Sequence, residues 1–482
     1  MKNTIKILGI ASIAVISLNS CRDYLSTEPI VETTFPYEEF KIKNGAEAEL
    51  LMNSIYSEFG GEYWQLDYFV IGDSQTDNSY AGADNPENFQ QDEYRIYTTN
   101  GNVNRDWNYL TGMVNKCNKI IYYVNEVSDL SPSRKDEMIG EAYALRALAN
   151  FQAVQLWGDF PLITKVITNV TPENLDELYP FIYPSRNSVE EVYASIIEDL
   201  TQSIAKAPTS NAANKGKATR NAAKGLLAKV YATKPSPDWA KTEQLSSEVI
   251  NGGYSLLPAY EHLFDNQHEL NAESIWEVDG QGWGSTIGAW GTGMFLGTDW
   301  KKFMTPSNDL VQSFDNENDT ERKATSVKFT NVTWPDTYWG SNFPFANKMR
   351  DTNGNQNFYL LRLADLVLLK AEAKVNLGDL SGAADLINLV RGRVNLSPVS
   401  IVSKEDGINK ILHERKLELS FEGQRWFDLK RTGKAVEILS KQKDGNGAIL
   451  PYAANINQNR LLWPIPQNQR DKNINLTQNP GY

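Results

Sequence analysis

The stretch Asn221–Thr233, NAAKGLLAKVYAT, is followed after a short break by Trp239–Ile250, and Leu363–Asn376, LADLVLLKAEAKVN, is followed in the same way by Leu380–Val390. Both segments read as a helix rich in small residues, a turn, and a second helix. Alanines at the close-packing positions let two helices approach one another. A helix pair of this kind buries its apolar stripe only against a neighbour, so repeated pairs imply a stacked scaffold. Glu141–Leu156, EAYALRALANFQAVQL, fits the first half of another such pair and stops at Gly158.

The fold class that follows is mostly α: a tetratricopeptide-like helical hairpin scaffold with long irregular aromatic-rich loops and a few short strands. Apolar residues at Leu50, Leu51, Ile55 and Phe59 line one face of a first helix over Ala46–Phe59, and Leu110, Val114, Cys117 and Ile121 line another over Trp107–Val127. Between them, residues 60–106 scatter glycines among Tyr63, Trp64, Tyr68 and Tyr80 and predict a long functional loop region. Residues 258–345 break the helical pattern again. They hold Trp276, Trp283, Trp290, Trp300, Trp334 and Trp339, half of the 12 tryptophans, with a short strand expected around Ser274–Val278. Aromatics gathered in irregular insertions on a rigid scaffold predict a binding surface.

With 482 residues, 41% of them hydrophobic, the chain can bury a large core. Its formal charge of −13 is the opposite of what phosphate neutralisation requires, and nucleic acid is excluded as an expected partner. Lys2 and Lys6 precede a short apolar run, Ile7–Leu18, which predicts an export signal over residues 1–20. Leu18, Asn19, Ser20 and Cys21 form LNSC, similar to a bacterial lipobox, so Cys21 is the expected lipidation site. Residues 21–40 then read as a lipidated tether. The only other cysteine is Cys117, so no disulfide framework is expected, and the body is expected to be anchored to the membrane without spanning it.

HERKLELSFEGQRWFDLKRTG, His413–Gly433, resembles the C-terminal hallmark of the SusD/RagB family of nutrient-binding lipoproteins. LLWPIPQNQRDKNINLTQNPGY, Leu461–Tyr482, is similar to the family's closing pattern. LRLADLVLLKAEA from Leu361, RALANFQAVQLWGDFPL from Arg146 and CRDYL from Cys21 are also similar to its recurring segments, in the right order. The resemblance implies an N-terminal part over 41–260 and a C-terminal part over 261–482 in one compact body. It further implies a glycan-capturing lid, without catalysis, on a SusC-like TonB-dependent transporter at the cell outer membrane, facing the exterior. Within the hallmark, opposite charges three or four apart predict pairing along one helix face while Leu417, Phe421 and Trp426 pack.

Sugar recognition needs aromatic planes for C–H faces and polar groups for hydroxyls. Trp64, Tyr80, Trp283, Trp290 and Trp300 are the candidate platforms, and Asp73, Asp77, Asn78 and Arg350 the candidate edge partners. Trp283 and Trp290 stand out because GQGWGSTIGAWGTG leaves little side-chain bulk to bury an indole. The alternative ligand on the same fold is a peptide. A surface glycoside hydrolase, needing two carboxylates about 5–10 Å apart, and a pure protein adaptor are weighed behind these. Three histidines, His262, His268 and His413, signal neither a metal cluster nor a serine triad. DNENDTER, Asp315–Arg322, lacks the glycine and bidentate glutamate of a calcium loop. No cofactor is expected, with a structural calcium ion left open.

Overall fold

The computed structural model describes residues 40–81, 86–282, 284–285, 287–288, 291, 295, 302–334, 338–444 and 446–482. Cys21, the tether, Trp283, Trp290 and Trp300 lie outside the described residues. Ile42–Tyr482 forms one compact unit.

The helices of the scaffold are α1 (Gly45–Tyr56), α2 (Pro86–Asp92), α3 (Gly101–Tyr123), α4 (Pro132–Trp157), α5 (Leu175–Ile182), α6 (Val189–Lys206), α7 (Arg220–Thr233) and α8 (Trp239–Ile250). After the irregular region come α9 (Asn308–Glu317), α10 (Thr320–Ser326), α11 (Leu363–Leu377), α12 (Leu380–Arg393), α13 (Lys404–Glu418) and α14 (Arg425–Arg431). From α3 onward the long helices pack in succession, α3 on α4, α4 on α6, α6 on α7 and α7 on α8. α8 then packs on α11, which carries α12 and α13. The hairpins predicted at 221–250 and 363–390 are therefore adjacent members of one stack, although more than a hundred residues separate them.

Small residues explain the close approach. Ala222, Ala223, Ala228, Ala371 and Ala373 are fully buried. At Gly140 of α4, a Cβ would lie 2.2 Å from the backbone nitrogen of Ala207, so backbone meets backbone there. Side-chain caps fix where the helices begin: Ser131 accepts from the Arg134 N–H, and Ser188 forms a capping box with Glu191. α4 ends at Gly158, whose φ of +72° turns the chain out of the helix. Among the described residues no helix is long and apolar enough to cross a membrane.

Strands are short and antiparallel: β1 (Ser79–Tyr80) pairs with β3 (Thr305–Pro306), β2 (Ser274–Val278) with β6 (Phe358–Arg362), and β4 (Val327–Asn331) with β5 (Asn342–Ala346). The β1–β3 pair ties the first irregular region to the second.

Two sequence expectations need correction. Residues 60–106 are not a long loop. Wide helical turns at Tyr63–Asp67 and Val70–Ser74, then α2 and the start of α3, bury most of the segment. Its polar residues reach the interior with partners: Gln65 Nε2 donates to the Phe59 carbonyl at 2.8 Å, and Arg105 pairs with Asp67.

The hallmark charges, in turn, mostly do not pair along their own helix. Arg415 bridges Asp365 and Asp428, both at 2.7 Å, and Arg425 grips Asp77 through Nε and Nη2, each at 2.8 Å. Glu418 receives Arg362 at 2.6 Å, Arg322 at 3.1 Å and also Arg393. The exception is Asp428 with Arg431, three residues on, at 2.8 Å. Leu417, Phe421 and Trp426 are buried as predicted. The segment Asp315–Arg322 is also structural: Asp319 caps α10 and holds Arg322.

Candidate functional site

A cleft of about 250 Å³ opens where β1 and β3 meet the segment 442–452. Four half-buried rings line it: Tyr80 at the end of β1, Phe89 on α2, Tyr338 before β5, and Tyr452 near the C-terminus. The Tyr80 and Tyr338 rings stand 5.1 Å apart at 52°. Partly exposed faces inclined to one another in this way suit a ligand with an apolar face and a polar rim.

Tyr338 is positioned by its neighbours, since its hydroxyl donates to the Lys443 carbonyl at 3.1 Å and Trp339 Nε1 donates to the Pro306 carbonyl at 3.2 Å. The β1 side is held by Ser307, which donates through N–H to the Asn78 carbonyl at 2.9 Å and through Oγ to the Asp77 carbonyl at 2.7 Å. Polar groups at the rim include Asp92, Glu93, Asp309, Gln442 and Lys443. Burial pushes the Asp92 carboxyl well above the usual carboxylate range despite a hydrogen bond from Ala81. Asp309, Gln442 and Lys443 also line a wider polar groove of about 770 Å³ between α9 and the 437–447 segment, so the cleft continues into a trough.

Of the residues predicted from sequence, only Tyr80 is described in the cleft as a platform. Trp64 is 1% exposed and packs among Phe59, Tyr63 and Tyr68, with ring centroids 5.2, 4.9 and 5.5 Å away, so it belongs to the core. Asp73 is fully buried. It accepts from the Phe421 N–H at 3.1 Å, the Gly423 N–H at 2.8 Å and Asn78 Nδ2 at 2.8 Å, which makes it a clamp on the hallmark loop. Burial pushes its carboxyl up to about 6, against those hydrogen bonds.

Asn78 is buried as that clamp's partner. Asp77 touches the cleft but is spent on Arg425 and Lys416, which outweigh burial and hold its carboxyl well below the usual range. Arg350 is paired with Glu261 at 2.5 Å and is not among the lining residues. Asp73, Asn78 and Arg350 are thus not among the residues that line the cleft, whereas Asp77 lines it while paired with Arg425 and Lys416. Phe89, Tyr338 and Tyr452 were missed by sequence reasoning. The structure also stacks His262 on His268, which a six-residue spacing did not signal.

Two family models match the chain: residues 276–482 match the SusD family, and residues 27–232 match a model described as starch-binding, associating with the outer membrane. A SusD-like protein of Formosa agariphila is 25% identical over 96% of both chains, and one of Bacteroides ovatus is 27% identical over 88% of this chain and 82% of its own. A SusD homologue of Bacteroides thetaiotaomicron superposes with a TM-score of 0.77 at 21% identity, covering 92% of this chain and 98% of its own. A laminarin-binding SusD-like protein gives a TM-score of 0.74 at 24% identity, covering 92% of this chain and all of its own. The helical stack with its short antiparallel strand pairs is the SusD-type fold. The chain belongs to the SusD/RagB family.

Proposed function

We propose that this protein captures an oligosaccharide or polysaccharide at the cell surface and delivers it to a partner TonB-dependent transporter. The observation that carries the proposal is the cleft edged by Tyr80, Phe89, Tyr338 and Tyr452, with hydrogen-bonding groups at its rim. Sugar C–H faces pack on such rings while the rim serves the hydroxyls. The laminarin-binding relative and the starch-binding family description support a carbohydrate over a peptide. Trp283, Trp290 and Trp300 belong to the same proposal as further platforms. Cys21 is the proposed acyl attachment point, holding the body at the outer membrane.

The role is binding without turnover. Asp92, whose carboxyl burial pushes well above the usual carboxylate range, is the group a hydrolase reading would use as its acid, so turnover has to be measured.

The full-length protein in detergent is run through affinity electrophoresis against a polysaccharide panel, with peptides assayed in parallel. Retardation by a glycan that is lost in Tyr338→Ala and in Tyr452→Ala, with the glycan recovered intact after prolonged incubation, is the expected result. Retention only of peptides, or glycan binding indifferent to both substitutions, would overturn the assignment of the cleft. Copurification of a barrel transporter from solubilised membranes tests the delivery step.

A further inference from the structure

Two of the protein's three histidines fall in one seven-residue turn, His262-Leu-Phe-Asp265-Asn-Gln-His268. Their rings stack with centroids 3.9 Å apart and planes inclined by only 13°. Asp265 Oδ2 sits 2.7 Å from His268 Nδ1. One ring nitrogen from each histidine and one Asp265 oxygen all lie within 4.8 Å of one another.

The turn is anchored from behind. Leu263 and Phe264, between the polar positions, are buried. The Leu263 carbonyl accepts from the Tyr359 hydroxyl at 2.9 Å, and the Phe264 carbonyl accepts from Gln356 Nε2 at 3.4 Å. Asn266, at φ +61°, reverses the chain so that His268 returns over His262, and its Nδ2 donates to Asp351 Oδ2 at 3.2 Å. Asp265 Oδ1 accepts the N–H groups of Gln267 and His268 at 2.9 and 3.2 Å, which orients the carboxylate and leaves Oδ2 toward the imidazoles. The backbone thus presents two nitrogens and one oxygen on the outward side of a fixed turn.

We propose that His262, Asp265 and His268 bind a divalent transition-metal ion of the zinc type, with water completing the coordination. Two imidazoles and a carboxylate suit zinc, copper or nickel, whereas calcium and magnesium take oxygen ligands. A tetrahedral ion about 2.1 Å from each ligand atom needs those atoms about 3.4 Å apart. To reach that spacing the two partly exposed rings turn out of their parallel stack, since in-plane lone pairs of stacked imidazoles do not converge. The ion replaces the proton shared by Asp265 and His268 and takes the lone pairs of both rings. The site lies outside the aromatic cleft and makes no use of its residues.

The full-length protein is purified in detergent without a histidine tag, stripped with chelator and titrated with Zn²⁺ by calorimetry. One ion per chain is expected, with a dissociation constant on the order of micromolar. His262→Gln and His268→Gln should each weaken binding by at least about tenfold, the lower bound for losing even an outer partner of a metal ligand. Both variants should keep the metal-free melting temperature, and His413→Gln should bind as the parent does. Cu²⁺ bound to the parent should show paramagnetic-resonance couplings to two imidazole nitrogens. No binding at about 0.1 mM Zn²⁺, or stoichiometric binding unchanged in both variants, would overturn the site.

Discussion

Replacing Glu418 by glutamine preserves side-chain volume and removes one negative charge from a fully buried position at the end of α13. Its two oxygens receive Arg362 at 2.6 Å and Arg322 at 3.1 Å as well as Arg393. Burial alone raises this carboxyl, but Arg393, Arg362 and Arg322 outweigh it and hold it well below the usual range. A glutamine offers one acceptor oxygen and turns an amide NH₂ toward a guanidinium. At least one buried arginine then loses a charged partner, although Arg362 keeps Glu273 and Glu422 and Arg322 keeps Asp319 and Glu414. Breaking a buried pair from one side costs about 3–5 kcal/mol. For a body of roughly 440 residues with an unfolding entropy of about 2.1 cal/mol/K per residue, that is a fall of about 3–5 °C in melting temperature.

The effect has a pH signature. A carboxyl depressed in the folded state contributes stability above its unfolded value and loses it as pH falls toward the folded one. The gap between parent and Glu418→Gln should therefore be full at pH 7 and shrink below about pH 4.5. Differential scanning calorimetry at both pH values reads both numbers, with Glu437→Gln, whose partner Lys434 is at the surface, as a control expected to change little. A Glu418→Gln protein that melts with the parent at pH 7, or a gap that is the same at acid pH, would refute the account.

Gly423→Ala should destabilise by about 2–4 kcal/mol, because φ is +72° and the new Cβ would stand 2.6 Å from the Tyr68 ring. A denaturant midpoint unchanged from the parent would show that the hallmark loop tolerates a side chain there. Cys21→Ala should move the protein from the membrane to the soluble fraction and abolish incorporation of labelled fatty acid. Continued acylation of the variant would place the anchor elsewhere.

The helical pairs were legible because close packing writes itself locally, in the alanines of α7 and α11 and in glycines that end single helices, Gly158 after α4 and Gly378 after α11. The strand expected around Ser274–Val278 is also present, in a run holding Ile275, Trp276 and Val278. Residues 60–106 were misread because the wide turns around Tyr63–Asp67 and Val70–Ser74 give no regular apolar period, and their buried polar groups resemble loop composition. The hallmark shows the opposite problem. Its spacing offers partners three and four residues away, yet Arg425 meets Asp77 from 348 positions distant. The cleft is assembled from Tyr80, Phe89, Tyr338 and Tyr452, one or two from each part of the chain, so no local spacing could reveal it. Trp64 illustrates the cost of judging an aromatic by its neighbours in sequence, since its nearby glycines coexist with complete burial.

The clamps at Asp73 and Asp77 also bear on the order in which the protein can become active. The β1 wall of the cleft is fastened by backbone and side-chain groups at Phe421, Gly423 and Arg425, synthesised some 350 residues later. A chain interrupted between Ser307 and that loop would carry Tyr80 and Phe89 with the Ser307 contacts but without the Asp73 and Asp77 clamps beneath them. Under the proposed function, ligand retention is thereby a readout of whether the 421–425 loop has docked, and a protein that ends before it should lose retention.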